Sequence, residues 1–102
     1  MARTPIHPGE ILADELEDLS ISASTLAREL RVPPNRITKI LSGRRSVSAD
    51  TALRLGKWFG NSPEFWLNLQ KIYELDLERQ RNEKEYDDIA ASGAKKFYDA
   101  TA

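Results

Sequence analysis

The stretch SASTLARELRVPPNRITKILSGRR, from Ser22 to Arg45, decides the fold. Ser22 suits an N-cap, since its hydroxyl can accept a free backbone N–H of a first helical turn. Leu26, Ala27 and Leu30 then mark one inward stripe over a helix Ala23–Leu30. Pro33-Pro34 interrupts it, because Pro34 removes the α conformation from Pro33 and is itself suited to the first position of a new helix. That helix runs to about Leu41, with Ile37, Ile40 and Leu41 on one side and Asn35, Arg36, Thr38 and Lys39 mostly on the other. Gly43, after Ser42, is free to take the left-handed conformation of a C-cap. Two short helices joined by a tight turn, the second basic on its exposed face, make a helix-turn-helix, whose second helix enters the DNA major groove.

Upstream, Pro8 opens a helix in which Ile11, Leu12, Glu15, Leu16 and Leu19 recur at helical spacing, with Asp14, Glu17 and Asp18 on the other face. His7 stands before its first turn, where it reads as an N-cap rather than a catalytic base. Downstream, Arg44 to Val47 form a loop. Ser48 then caps a helix from Ala49 to about Phe59, with Asp50 in its first turn complementing the helix dipole. Ala52, Leu53, Leu55, Gly56 and Phe59 are expected on its core side. Gly60-Asn61 ends it, and Ser62-Pro63-Glu64 repeats the start signal for a longer helix through Phe65, Trp66, Leu69, Ile72 and Tyr73 to about Gln80. No strand-like alternation and no internal repeat appear. The expectation is an all-α fold of five helices over residues 5–80, followed by a polar C-terminal tail, 81–102. Tyr86, Ile89, Phe97 and Tyr98 are isolated apolar points in that frayed or loosely packed extension.

With 102 residues, 40% of them apolar and 30% charged, the chain has room for one domain and enough apolar surface to fold it. It contains no cysteine, which excludes disulfides, thiolate metal sites and a Cys nucleophile. A single His7 cannot build a zinc site, and the acidic run Glu83, Glu85, Asp87, Asp88 lacks the spacing of a calcium loop. No nucleophile–base pair, P-loop or dinucleotide motif is present, so neither an enzyme nor a cofactor is expected. No stretch approaches the roughly 20 apolar residues of a membrane span, and the first residues carry no apolar run, which points to the cytoplasm. The net charge of −1 is a misleading average. Met1 to Leu19 carries −4 and the stretch after Lys57 carries −3, whereas Ser22 to Lys57 carries +6. The part facing a polyanion is the middle.

Ala27, Val32 in the turn, Ile37, Ile40 and a Gly43 followed by a basic residue resemble the helix-turn-helix of the Xre and phage-repressor superfamily. The flanks HPGEIL (His7–Leu12), ADTALRLGKWFG (Ala49–Gly60) and SPEFWLNLQKIYEL (Ser62–Leu75) resemble its HigA-type branch, the VapI-like plasmid-maintenance antidotes, over about residues 5–78. The resemblance implies a five-helix, phage-repressor-like DNA-binding antitoxin. Such a protein dimerises, neutralises a HigB-type ribosome-dependent mRNA-cleaving toxin by protein contact, and represses its own operon. A free-standing Xre-family transcriptional regulator without a toxin is the alternative. A pure protein-interaction module is a third reading, opposed by the +6 segment.

Asn35, Arg36, Thr38 and Lys39 occupy positions whose counterparts in the superfamily point toward base edges. Their chemistry agrees, since Asn pairs with adenine and Arg or Lys with the guanine O6/N7 edge. Pro34 departs from the polar residue frequent there and offers at most apolar contact with a thymine methyl. Ser22, Ser24 and Thr25 begin a helix whose free N–H groups and hydroxyls can hold a phosphate, and Arg44 and Arg45 are placed to reach phosphates as well. Trp58, Phe59, Phe65 and Trp66 read equally as core. The resemblance assigns the two-fold interface to the last helix, with Trp66, Leu69, Gln70 and Tyr73 as its residues. Two-fold repressors read half-sites about 34–36 Å apart.

Overall fold

In the computed structural model, which describes residues 3–100, helix α1 runs Pro8–Leu19, α2 Ala23–Leu30, α3 Pro34–Leu41, α4 Ala49–Phe59, α5 Pro63–Asp87 and α6 Lys95–Ala100. The described residues contain no strand. The starts of α1 to α5 have chemical causes. His7 caps α1 reciprocally: its Nδ1 accepts the Gly9 N–H at 2.9 Å while the Glu10 carboxylate accepts the His7 N–H at 3.0 Å. Ser22, Ser48 and Ser62 accept from Thr25, Thr51 and Phe65 N–H at the heads of α2, α4 and α5. A cap of this kind contributes about 1 kcal/mol. Pro34 opens α3 without a side-chain cap.

The stops of α1 to α4 are left-handed turns. Gly43 and Gly60 take φ of 77° after α3 and α4. Ser20 and Arg31 do the same after α1 and α2 without being glycine. At Arg31 the chain doubles back, Arg31 N–H donating to the Arg28 carbonyl and Val32 N–H to Ala27. This is the turn between α2 and α3.

The core gathers Leu12 and Leu16 of α1, Leu26, Ala27 and Leu30 of α2, Ile37 and Ile40 of α3, Val47, Ala52 and Leu55 around α4, and Trp66 of α5. Two close approaches set the angles. A Cβ on Gly9 would lie 1.9 Å from the Ile40 carbonyl oxygen, so only glycine lets α1 lie against the end of α3. A Cβ on Gly56 would lie 2.8 Å from the Asn61 carbonyl oxygen, where the chain turns from α4 into α5.

Three expectations are corrected. Leu53 is 61% exposed, because Ala52, Leu55 and Gly56 hold the buried side of α4 and Leu53 falls off it. Leu19 is likewise exposed at the end of α1. Finally, α5 does not stop at Gln80. Its regular turns run on to a kink at Asn82 (φ −134°, ψ 28°), and one further turn continues beyond it to Asp87. Asn82 Nδ2 and Tyr86 Oη both donate to the Glu78 carboxylate, at 3.0 and 2.8 Å, and tie the last turn back across that kink. The C-terminal stretch thus carries a sixth helix as well, and its described side chains are almost all exposed.

Candidate nucleic-acid interface

The outward side of α3 follows from its inward side. Ile37 and Ile40 are fully buried, and in a helix of 3.6 residues per turn this leaves Pro34, Asn35, Thr38 and Lys39 exposed together. The exposed residues Arg44, Arg45 and Ser46 follow them on the loop after α3. Ser24 is exposed at the head of α2, Thr25 is half-buried, and the Ser22 hydroxyl is engaged with Thr25 N–H and Oγ1. The open polar side chain at the head of α2 is therefore that of Ser24.

Arg36 behaves differently from its neighbours on α3. Its side chain is half-buried and its Nη1 is paired with the Asp50 carboxylate of α4. Arg54 holds the same carboxylate, its Nε 3.1 Å from both oxygens and its Nη1 2.8 Å from the Leu30 carbonyl. The Asp50 carboxyl is held below the usual carboxylate range, first by the Arg54 hydrogen bond and then by Arg36. Asp50 thus binds α4 to α3 and, through Arg54, to α2. The i,i+4 spacing of Asp50 and Arg54 was visible in the sequence. The Arg36 pairing, 14 residues apart, was not.

The loop after α3 rests on His7 and on α5. The His7 ring is hydrogen-bonded to the Arg45 backbone and stands edge-on to Tyr73 at 4.9 Å. Burial is the main cause of its lowered pKa, opposed by the Arg45 backbone and by Glu10. Gln70, 4% exposed, accepts the buried Val47 N–H at 2.8 Å and donates to Glu74 at 2.9 Å. Trp66, 1% exposed, donates to Asn61 Oδ1 at 2.9 Å and lies among Phe59 and Phe65. Of the four α5 residues assigned to a two-fold interface, Trp66 and Gln70 are therefore consumed inside the protomer, while Leu69 and Tyr73 are half-buried. Ile72 and Leu75 are exposed on the same helix.

The described residues hold no cluster of His, Asp or Glu able to bind a metal, and no helix long and apolar enough to cross a membrane. A short helix with an exposed polar and basic face, braced from behind by three others, defines a helix-turn-helix module of the DNA-binding class. The family model described as Helix-turn-helix matches residues 12–66. Virulence-associated protein I of Dichelobacter nodosus is 47% identical over 76 residues, 74% of this chain and 70% of that protein. An addiction module antidote protein of the HigA family from Coxiella burnetii is 51% identical with a TM-score of 0.84, over 87% of this chain and 98% of its own. The Pseudomonas aeruginosa antitoxin HigA, solved with the higBA promoter, is 42% identical with a TM-score of 0.82, over 88% and 99%. The chain belongs to the Xre-type helix-turn-helix family, in its HigA-type, VapI-like branch. This is a family of DNA-binding antitoxins and transcription regulators, not of enzymes.

Proposed function

We propose that the chain is the antitoxin of a type II, HigBA-type module. As a homodimer it binds double-stranded operator DNA to repress its own operon, and by direct contact it neutralises an mRNA-cleaving HigB-type toxin in the cytoplasm. The observation that carries this reading is the exposed α3 face of Asn35, Thr38 and Lys39 within the +6 segment, in a chain so similar to an antitoxin solved with its promoter. In this reading Pro34, Asn35, Thr38 and Lys39 meet base edges, with Arg36 beside them. Ser22, Ser24, Thr25, Arg44 and Arg45 meet the phosphates that position the module. Residues 5–80 form the DNA-binding and dimerisation unit, and 81–102 a polar extension. The two-fold axis passes beside α5, where Leu69 and Tyr73 adjoin the exposed Ile72 and Leu75, while Trp66 and Gln70 contribute by fixing that helix. A dimer supplies two reading helices for two half-sites one helical turn apart.

Two measurements test this. The duplex upstream of the reading frame should be bound with an affinity that falls steeply with salt, since phosphate neutralisation supplies most of it. Binding that ignores salt refutes the DNA reading. The tagged chain expressed from its native locus should co-purify with a small second protein in near-equal amount. A partner-free homodimer would favour a free-standing regulator, a reading supported by 33% identity to an Escherichia coli protein described as an HTH-type transcriptional regulator.

A further inference from the structure

We infer that Asp50 is a specificity-determining residue: it competes with DNA for Arg36, so that Arg36 leaves it for a correctly placed guanine but not for a phosphate. The inference rests on the DNA-binding reading above and adds a residue that does not itself touch a base.

The two arginines on Asp50 are held unequally. Arg54 is anchored twice, by both carboxylate oxygens at 3.1 Å and by the Leu30 carbonyl at 2.8 Å. Arg36 is held through Nη1 alone, and its Nε is buried without a hydrogen-bond partner. A buried N–H left unmade raises the free energy of that pose, so the present position of Arg36 is an incomplete one. Its departure leaves no orphaned charge, because Arg54 keeps Asp50 paired. Arg36 is also the one basic residue that shares α3 with Lys39 and sits between the exposed Asn35 and the buried Ile37. A guanidinium swinging off Asp50 therefore stays at the edge of the reading face.

Magnitudes decide which ligand draws it away. A partly exposed ion pair is worth up to about fivefold in an equilibrium constant. A bidentate guanine contact discriminates by about fivefold to a hundredfold or more. Guanine therefore outbids Asp50, whereas a phosphate, itself a single screened ion pair, roughly balances it. Asp50 thus removes Arg36 from non-specific binding and returns it at the right base, widening the ratio between operator and other DNA.

The test is anisotropy titration of the parent, Asp50→Asn, Arg36→Ala and the double variant, against the duplex upstream of the reading frame and against a random-sequence duplex. Asp50→Asn should bind random duplex about two- to fivefold more tightly, with a salt slope steeper by about one released ion. Its operator-to-random ratio should narrow, and in the Arg36→Ala background the substitution should change nothing. A gain that persists without Arg36 overturns the inference, because it reports removal of a negative charge. Unchanged or weaker binding of random duplex overturns it too. Thermal melting accompanies each variant, and Asp50→Ser, a residue equally at home in a first helical turn, repeats the test if Asp50→Asn melts early. A parent that binds neither duplex in a salt-dependent way refutes the DNA reading itself, an outcome distinct from a parent that binds while Asp50→Asn matches it.

Discussion

Helices α3 and α5 are held in place for opposite reasons. With eight residues, α3 is well short of the roughly 12–15 that make an isolated helix even marginal in water. Its position is borrowed from the burial of Ile37 and Ile40, from Gly9 beneath the Ile40 carbonyl, and from Asp50 at its side. Helix α5 has 25 residues, of which Trp66, Gln70 and Asp76 are buried, and beyond Leu77 it runs on with every side chain exposed. Of the two, α3, the proposed reading element, is the less able to stand alone, and the long helix lends it rigidity through Gln70 and Tyr73. Damage to the supports should unfold the module, and damage to the outer face of α3 should leave it folded but unable to read.

The largest effect is expected at Gly9. In Gly9→Ala the new methyl meets backbone rather than a yielding side chain, and stability should drop by about 3 kcal/mol in urea unfolding. A parent-like midpoint would show that α3 does not depend on α1. Next comes Gln70→Ala, which strands the buried Val47 N–H 23 residues away and should cost about 2 kcal/mol. Parent-like stability would break the claim that α5 supports the loop. Lys39→Ala should do the reverse, losing about 1.5 kcal/mol of operator affinity for a guanine contact while its melting curve overlays the parent's. An equal loss on random duplex would demote Lys39 to a phosphate contact.

The smallest effect concerns His7. Its pKa is lowered in the folded chain, chiefly by burial, so the unfolded chain binds the proton more readily. The stabilisation is complete above the unfolded value near 6.5 and is lost as pH falls through it toward the lower folded value. The loss is local in origin, since a protonated Nδ1 no longer accepts the Gly9 N–H. His7→Asn keeps a capping oxygen without a proton to gain, so its stability should vary less between pH 7 and 5. Equal slopes for both proteins would remove His7 from the account.

The reading unit was the more legible of the two regions, because its boundaries are written in adjacent residues. Ser22 and Ser48 cap, Pro34 starts, and Gly43 and Gly60 stop, each by chemistry confined to one turn. What escaped depends on distance along the chain. Whether Arg36 faces DNA or Asp50, and whether Gln70 faces a partner or Val47, is decided by where α4 and α5 pack, which no local pattern records. Leu53 misled because an apolar residue next to a buried stripe differs from it by a single helical step. The end of α5 was hidden for another reason: Asn82, where its backbone kinks, is followed by Glu83, Lys84 and Glu85, good helix formers that carry the chain through one more turn. The left-handed Arg31 carried no warning either, since the turn it makes is one that glycine usually takes.

The two tryptophans give the molecule a built-in optical readout. Trp66 lies sealed among Phe59 and Phe65 with its indole N–H on Asn61, while Trp58, half-buried, turns its indole N–H toward Glu29 at the surface. Intrinsic emission is therefore a mixture of a dry and a wet fluorophore. Replacing Trp58 with Phe leaves one lamp, placed where α4 meets α5, whose shift to the red should report loss of the core and nothing of the surface.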